Sequence, residues 1–67
     1  MRVRAHEIKV GDRIPRISKI GAAFSMTVAG IRTVQEGSVL RYGFIVAPHG
    51  DFLGWFSAGG MFTIERD

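Results

Sequence analysis

The sequence lacks several features that would place it quickly in a structural or functional class. It contains no cysteine, which excludes disulfide bonds and thiolate zinc sites. No apolar run approaches the roughly 18 residues needed to span a bilayer, so we expect no contact with a membrane. The first seven residues lack the apolar core of a signal peptide. Together with the absence of cysteine, this predicts a cytoplasmic protein.

The sequence also lacks a group of residues that would carry catalysis or hold a metal ion. His49 and Asp51 are separated by one residue, and His6 is the only other histidine, whereas a stable site usually needs three or four ligands. No serine is spaced suggestively from a histidine and a carboxylate. The glycine-rich segment 54–60 lacks the lysine and the following helix of a phosphate-binding loop. We therefore predict no enzyme activity, no metal, no cofactor and no small-molecule substrate.

Apolar residues are abundant for so short a chain. The 67 residues predict a single domain, residues 1–67, and 46% of them are apolar, including seven aromatics. A chain of this size buries only about 60% of the surface that it exposes when unfolded. Part of the apolar surface is therefore expected at a contact with another molecule, and self-association is the simplest interpretation.

The charge is unevenly distributed along the chain. The net charge is +3, but residues 1–32 hold seven basic against two acidic residues, and residues 33–67 hold two against four. A basic half can face a polyanion such as nucleic acid, or its charges can lie on ordinary solvated strand faces.

Residues 33–47 predict a β-hairpin that leads into the central strand of the fold. Residues 35–38 form its turn, because Gly37 adopts positive φ without steric cost. Residues 39–47 are mostly β-branched, aromatic or small, and both faces of this strand are apolar. Such a strand is central in a sheet, or belongs to a closed barrel.

Shorter strands are predicted before the hairpin, at residues 2–5, 14–20 and 25–34. A tight turn at Gly11 precedes the second of these, with Val10 and Ile14 expected to point inward. Pro15 suits a sheet edge, and a bulge there would let both Ile14 and Ile17 face the core. A second bulge is expected at Gly30, in the third strand.

Two more strands are predicted after the hairpin, at residues 52–57 and 62–66. Gly54 is expected to leave room for a neighbouring ring or backbone, and Phe62 and Ile64 are expected to point inward. No stretch keeps a helical apolar period. The sequence therefore predicts an all-β domain, a small barrel of five or six antiparallel strands with little or no helix.

The segment Ile8-Lys-Val-Gly-Asp-Arg-Ile14 resembles the elbow that opens many SH3-like and Hint-type small barrels. Hint domains need a nucleophilic Cys or Ser at their start, where this chain has Met1. As a whole, the chain resembles the short, standalone SH3-like barrel proteins encoded by actinobacterial phages. That resemblance implies a small accessory protein that acts by binding.

Two binding functions remain open at this point. The first is self-association or binding of a protein partner through exposed apolar residues, for which we select Tyr42, Phe52, Trp55 and Phe56. The alternative is binding of DNA or RNA through a basic face, for which we select Arg13, Arg16, Lys19 and Arg32. Binding through phosphates weakens steeply with salt, whereas an apolar interface does not.

Overall fold

The computed structural model describes residues 1–66 and consists of six β-strands and one helical turn. The strands are β1 (Arg2–Arg4), β2 (Arg13–Ile17), β3 (Ala23–Glu36), β4 (Val39–Ala47), β5 (Asp51–Ser57) and β6 (Met61–Thr63). Residues Ala5–Glu7 form a single turn of 3-10 helix. Every strand pairing is antiparallel, which confirms the predicted all-β fold of six strands with little helix.

The strands form two sheets that share one core. The order of the larger sheet is β2-β3-β4-β5, and β1 pairs with β6 in the smaller one. A bridge joins the sheets, in which the backbone N–H groups of Arg13 and Glu65 each donate to the other residue's carbonyl, at 3.0 and 2.8 Å. Beyond this bridge, a groove of about 340 Å³ lined by Pro15, Phe56 and Met61 separates β2 from β6. The result is a small, partly open barrel.

The long hairpin of β3 and β4 forms as the sequence predicts. Its loop is Gly37–Ser38, and Gly37 has a φ of 61°, as expected at the first central position of a two-residue turn. The hairpin lengthens the molecule to 39 Å along its longest axis, against 24 and 22 Å along the others. The β4 strand has the predicted bounds and lies between β3 and β5, so it is a central strand.

The bulges do not all lie where the sequence predicts them. A register shift between Val28 and Gly30 confirms the bulge in β3. The expected bulge at Pro15 is wrong, because β2 pairs with β3 residue by residue through that position. Regular alternation turns Ile17 away from the core, and its side chain is 76% exposed. Val10 is also exposed, and Ile8 takes its place as the inward residue.

The core is built from almost every element of the chain. Its buried apolar residues come from β1 to β4, from the helical turn and from the segments after it and after β6: Val3, Ala5, Ile8, Ile14, Val28, Phe44, Val46 and Ile64. The ring of Phe44 is fully buried at the centre and packs against Phe62 with a centroid distance of 5.6 Å. As predicted, Ile64 is buried, and Phe62 packs against the core from a half-buried position. The segment after β6 therefore closes the barrel.

An ion pair fastens the end of the described chain to the turn before β2. The buried carboxylate of Asp12 accepts hydrogen bonds from Nε and Nη2 of Arg66, at 2.8 and 2.7 Å. The backbone N–H of Lys9 donates to the same carboxylate at 2.8 Å. These donors, above all the Arg66 guanidinium, hold the pKa of Asp12 below its usual value of 3.8. Asp12 is thus a turn residue and an ion-pair partner, as its sequence context indicates.

Candidate interaction surface

The surface with the clearest construction lies on the outer face of β5, the face that points away from the core. A register shift between Gly43 and Ile45 marks a bulge, and Gly54, on the opposite strand, has a φ of 108°. The extra residue of a bulge changes which side chains share a face. Phe52 and Trp55, three residues apart, therefore both lie on the outer face.

Gly43 provides the space in which these two rings lie. A Cβ atom at Gly43 would be 2.5 Å from Cζ of Phe52 and 3.0 Å from Cε3 of Trp55. The two rings meet edge to face, with centroids 5.1 Å apart. The prediction that Gly54 makes room for a ring is wrong, because a Cβ there meets no atom within 4 Å. Gly54 supplies the bulge, and Gly43 supplies the room.

An arginine lies in the same row of the sheet as the rings. Arg32 of β3 pairs with Gly43, and Gly43 pairs with Trp55 on its other side. Facing positions across an antiparallel sheet share a face, so the Arg32 side chain lies on the outer face as well. We call this set, Arg32, Gly43, Ile45, Phe52 and Trp55, the outer-face patch. Phe52 is 46% exposed and Trp55 45% exposed, so each ring presents half of its surface to solvent.

The other two aromatic residues selected from the sequence lie on the inner face. Tyr42 and Phe56 are paired across β4 and β5, and both are half-buried against the core. The Phe56 ring stacks on Phe44 with centroids 6.0 Å apart, and it meets Phe62 edge to face at 5.0 Å. The structure thus brings Phe52 and Trp55 together but separates them from Tyr42 and Phe56 by the thickness of the sheet.

The four basic residues selected from the sequence are spread over the molecule. Arg13 lies at the bridge to Glu65, Arg16 faces Phe24 across β2 and β3, and Lys19 lies in the turn between those strands. Arg32 lies eight residues along β3 from Phe24, a separation of about 25 Å at roughly 3.3 Å per residue. Arg16 and Lys19 therefore lie far from the outer-face patch. Arg13 lies outside the patch but closer to it, because it pairs with Thr27, which pairs with Ala47, two residues along β4 from Ile45. The patch contains Arg32 alone of the four.

A second apolar surface lies at the tip of the β2–β3 hairpin, and sequence reasoning missed it. Ile20 is 91% exposed in the turn, and Ile17 and Phe24 flank it at the ends of the strands. A shallow groove of about 670 Å³ runs beside the tip, lined in part by Pro15, Ile17 and Phe24. The expected bulge at Pro15 would have turned Ile17 inward, and β2 has no bulge there. The signal that could have placed Ile17 outside is the regular alternation of a strand, which puts residues three apart, such as Ile14 and Ile17, on opposite faces.

The described residues offer little to other classes of site. Among residues 1–66, no three His, Cys, Asp or Glu side chains are placed together so that they could hold a metal ion. In the same residues, no helix is long and apolar enough to cross a membrane.

Comparison with known proteins adds no assignment to this geometry. The chain matches no protein family, no curated protein and no solved structure. The surfaces described above are therefore the basis for a proposed function.

Proposed function

We propose that this chain is a non-enzymatic binding and assembly module that associates with itself or with a protein partner through the outer-face patch. We place it in the cytoplasm, as an accessory protein of a phage or a bacterium. The observation that carries the proposal is the pair of half-exposed rings of Phe52 and Trp55 seated on Gly43.

The seating of the rings supports binding because it limits their motion before any partner arrives. Each ring contacts the other and the bare backbone of β4, so little side-chain freedom is left to lose on binding. Aromatic residues held in this way dominate the energy of many protein interfaces. A purely structural role would favour rings that are covered, as the Phe44 ring is.

The balance of buried and exposed apolar residues supports the same proposal. Eight apolar residues form the buried core, while eleven large apolar side chains are exposed, among them Phe52, Trp55, Ile17 and Ile20. Single exposed apolar residues are ordinary, but clusters on one face mark contacts with other proteins. Five of the eleven form two clusters, Phe52 and Trp55 in the outer-face patch and Ile17, Ile20 and Phe24 at the tip of the β2–β3 hairpin.

A second candidate function, binding of single-stranded DNA or RNA, is favoured by one observation. Arg32 shares a row of the sheet with Trp55 and lies across the side-chain-free Gly43 from it. Single strands bind where bases stack on exposed rings beside a positive charge. The outer-face patch supplies this combination with one arginine, while Arg13, Arg16 and Lys19 lie elsewhere.

Light scattering in solution separates the two functions. The mass of the chain is measured at low and high salt, with and without a short mixed-sequence oligonucleotide. Assembly predicts a multimer that ignores the oligonucleotide and persists at high salt, because apolar contacts do not depend on released counterions. A monomer that gains the mass of the oligonucleotide only at low salt would overturn assembly in favour of the second function.

A pair of variants ties the result to the patch. Trp55→Ser removes the exposed ring and should convert a multimer into a monomer. Ile20→Ser removes an even more exposed apolar side chain at the other cluster and should leave the mass unchanged. A Trp55→Ser chain that keeps the multimer, while Ile20→Ser loses it, would move the interface to the hairpin tip and refute the assignment to the outer face.

A further inference from the structure

The two edges of the larger sheet differ in how well they are protected from pairing with another strand. Its edge strands are β2 and β5, the first and last in the order of the sheet. Unpaired N–H and C=O groups along an edge form a template for a further strand, and proteins commonly block such edges with proline or charge.

The β2 edge is blocked. Arg13 points its backbone N–H and C=O outward, because it exchanges both hydrogen bonds with Glu65 and not with β3. The direction alternates along a strand, so Pro15 also faces outward. Proline has no N–H, so the next position on this edge offers no donor. Arg16 adds a charge directly after it.

The β5 edge has no proline, and its one charge is Asp51 at its start. Two features interrupt it, the bulge at Gly54 and the Gly60 N–H, which donates to the Ser57 carbonyl at 3.0 Å. Val28 exchanges its backbone hydrogen bonds with Gly11 and Asp12 on the β2 side, so its partner Val46 directs its own bonds toward β5. Alternation along β4 then points the polar groups of Gly43 toward β3. The residues that face Gly43 and Arg41 on β5 are Trp55 and Ser57, so their N–H groups point outward. Within residues 1–66, the backbone of β5 pairs with β4 as its only strand partner.

From this asymmetry we infer that the partner of the outer-face patch is a second copy of this chain, bound by antiparallel pairing of β5 with β5. The inference rests on the proposed function, since it names the partner and the mode of assembly for the same surface. The two sheets would join into one of eight strands about a two-fold axis. The Phe52 and Trp55 rings of both copies would then lie side by side on its outer face.

The charges along the β5 edge do not oppose a second copy as the occupant. Asp51, at the start of β5, is the only charged residue of the strand. Antiparallel pairing about a two-fold axis places the two Asp51 carboxylates at opposite ends of the shared edge. No two like charges of the β5 strands therefore face each other along it. The β5 strand itself carries no cation for a polyanion, and Arg41, which faces Ser57 from β4, is paired with Glu36.

The length of the edge also suits a dimer. A stable interface buries about 800 Å² per partner, roughly a sixth of the 4565 Å² surface of this chain. The seven residues of β5 extend for about 23 Å at roughly 3.3 Å per residue, and the exposed rings lie directly beside that edge. Because β2 is blocked, each larger sheet has one open edge, so pairing stops at two copies and forms no filament.

The test is hydrogen exchange of individual amides, measured by nuclear magnetic resonance on the unmodified chain across a dilution series, with light scattering at each concentration. We expect a dimer in which the Trp55 and Ser57 amides exchange at least tenfold more slowly than in the dilute monomer. The Ile17 amide, outward on the blocked edge, should exchange at one rate throughout. This readout needs no variant and distinguishes backbone pairing from contact between rings alone.

Two substitutions give a second measurement. Ser57→Pro deletes an outward N–H and leaves the rings in place, so we expect the dissociation constant to rise about tenfold or more, since symmetry removes two hydrogen bonds. Ile17→Pro makes the same change on the β2 edge and should leave the mass as it is. A multimer whose Trp55 and Ser57 amides stay unprotected overturns the edge pairing but not the assembly function, whereas a monomer at every concentration overturns self-association with it.

Discussion

Gly43→Ala tests the construction of the outer-face patch without removing either ring. The new Cβ would lie 2.5 and 2.6 Å from Cζ and Cε1 of Phe52, and 3.0 Å from Cε3 of Trp55. Carbon atoms do not approach so closely, so both rings must swing away from β4. Gly30→Ala is the matched control, because Gly30 lies on the same face in β3 and its Cβ would meet Ile45 at an ordinary 3.6 Å.

The expected difference between the two variants follows from the contacts. Alanine in a strand is more favourable than glycine by about 0.5–1 kcal/mol, so Gly30→Ala should raise the free energy of unfolding by that amount. At Gly43 the same gain is opposed by the lost contact between the rings, worth about 0.5–1.5 kcal/mol. Side-chain torsions forced off their minima cost about 0.5–1.5 kcal/mol more. Gly43→Ala should therefore destabilise the fold by about 1 kcal/mol and lie about 2 kcal/mol below Gly30→Ala.

Urea denaturation followed by tryptophan emission measures the free energy of unfolding and the exposure of the Trp55 ring in one experiment. Trp55 is the only tryptophan in the chain, so the folded emission reports on this ring alone. Gly43→Ala should shift that emission to longer wavelength as the ring loses its cover, whereas Gly30→Ala should not. A Gly43→Ala chain with unchanged emission and the same gain in stability as the control would refute the seating of the rings on Gly43.

Four further predictions concern the rest of the fold. Arg66→Ala should lower the free energy of unfolding at neutral pH, because it leaves the buried Asp12 carboxylate without its charged partner. In the unmodified chain, the stability that this pair contributes should be fully present above the usual Asp pKa of 3.8, and it should be lost as the pH falls through the depressed pKa of Asp12. Urea titrations at several pH values measure this, and equal stability across that pH range would show that the pair contributes nothing. Phe44→Ala should lower the free energy of unfolding by about 3–5 kcal/mol, a large part of the roughly 3–10 kcal/mol that a chain of this length has. A thermal melt by circular dichroism with the same midpoint as the unmodified chain would contradict that. Gly37→Val should cost about 1–3 kcal/mol by forcing positive φ on a β-branched residue, and an unchanged melting temperature would remove the turn assignment.

Features that depend on neighbouring residues could be predicted from the sequence. The Gly37 turn and the bounds of β4 follow from a glycine and a run of β-favouring residues, and the structure has both. The bulge in β3 followed from Gly30, which interrupts an otherwise regular strand. Each of these features is decided within a few positions of the chain.

Features that depend on strand pairing were beyond the sequence. Ile17 and Ile20 are of a residue type common in cores, yet the pairing of β2 with β3 places them beyond the end of the barrel. The role of Gly43 could not be predicted either, because the rings that fill the space beside its backbone come from another strand. For the same reason Arg32 could be selected as a basic residue, while its row partner Trp55 could not be linked to it.

The pairing of the two ends of the chain has a consequence for how the molecule folds. Strands β2 to β5 follow one another through short connections and can form from local contacts, whereas the Met1 amino group reaches the carbonyl of Ile64 across 63 positions. Closing so long a loop is entropically costly and slow, so the sealing of the barrel by Val3 and Ile64 belongs to the last stage of folding. Until then the Phe44 ring is uncovered on one side while the β5 edge is already formed. A chain whose ends have not yet met would expose more apolar surface than the folded one, so we expect aggregation at high concentration to depend on how quickly the ends meet.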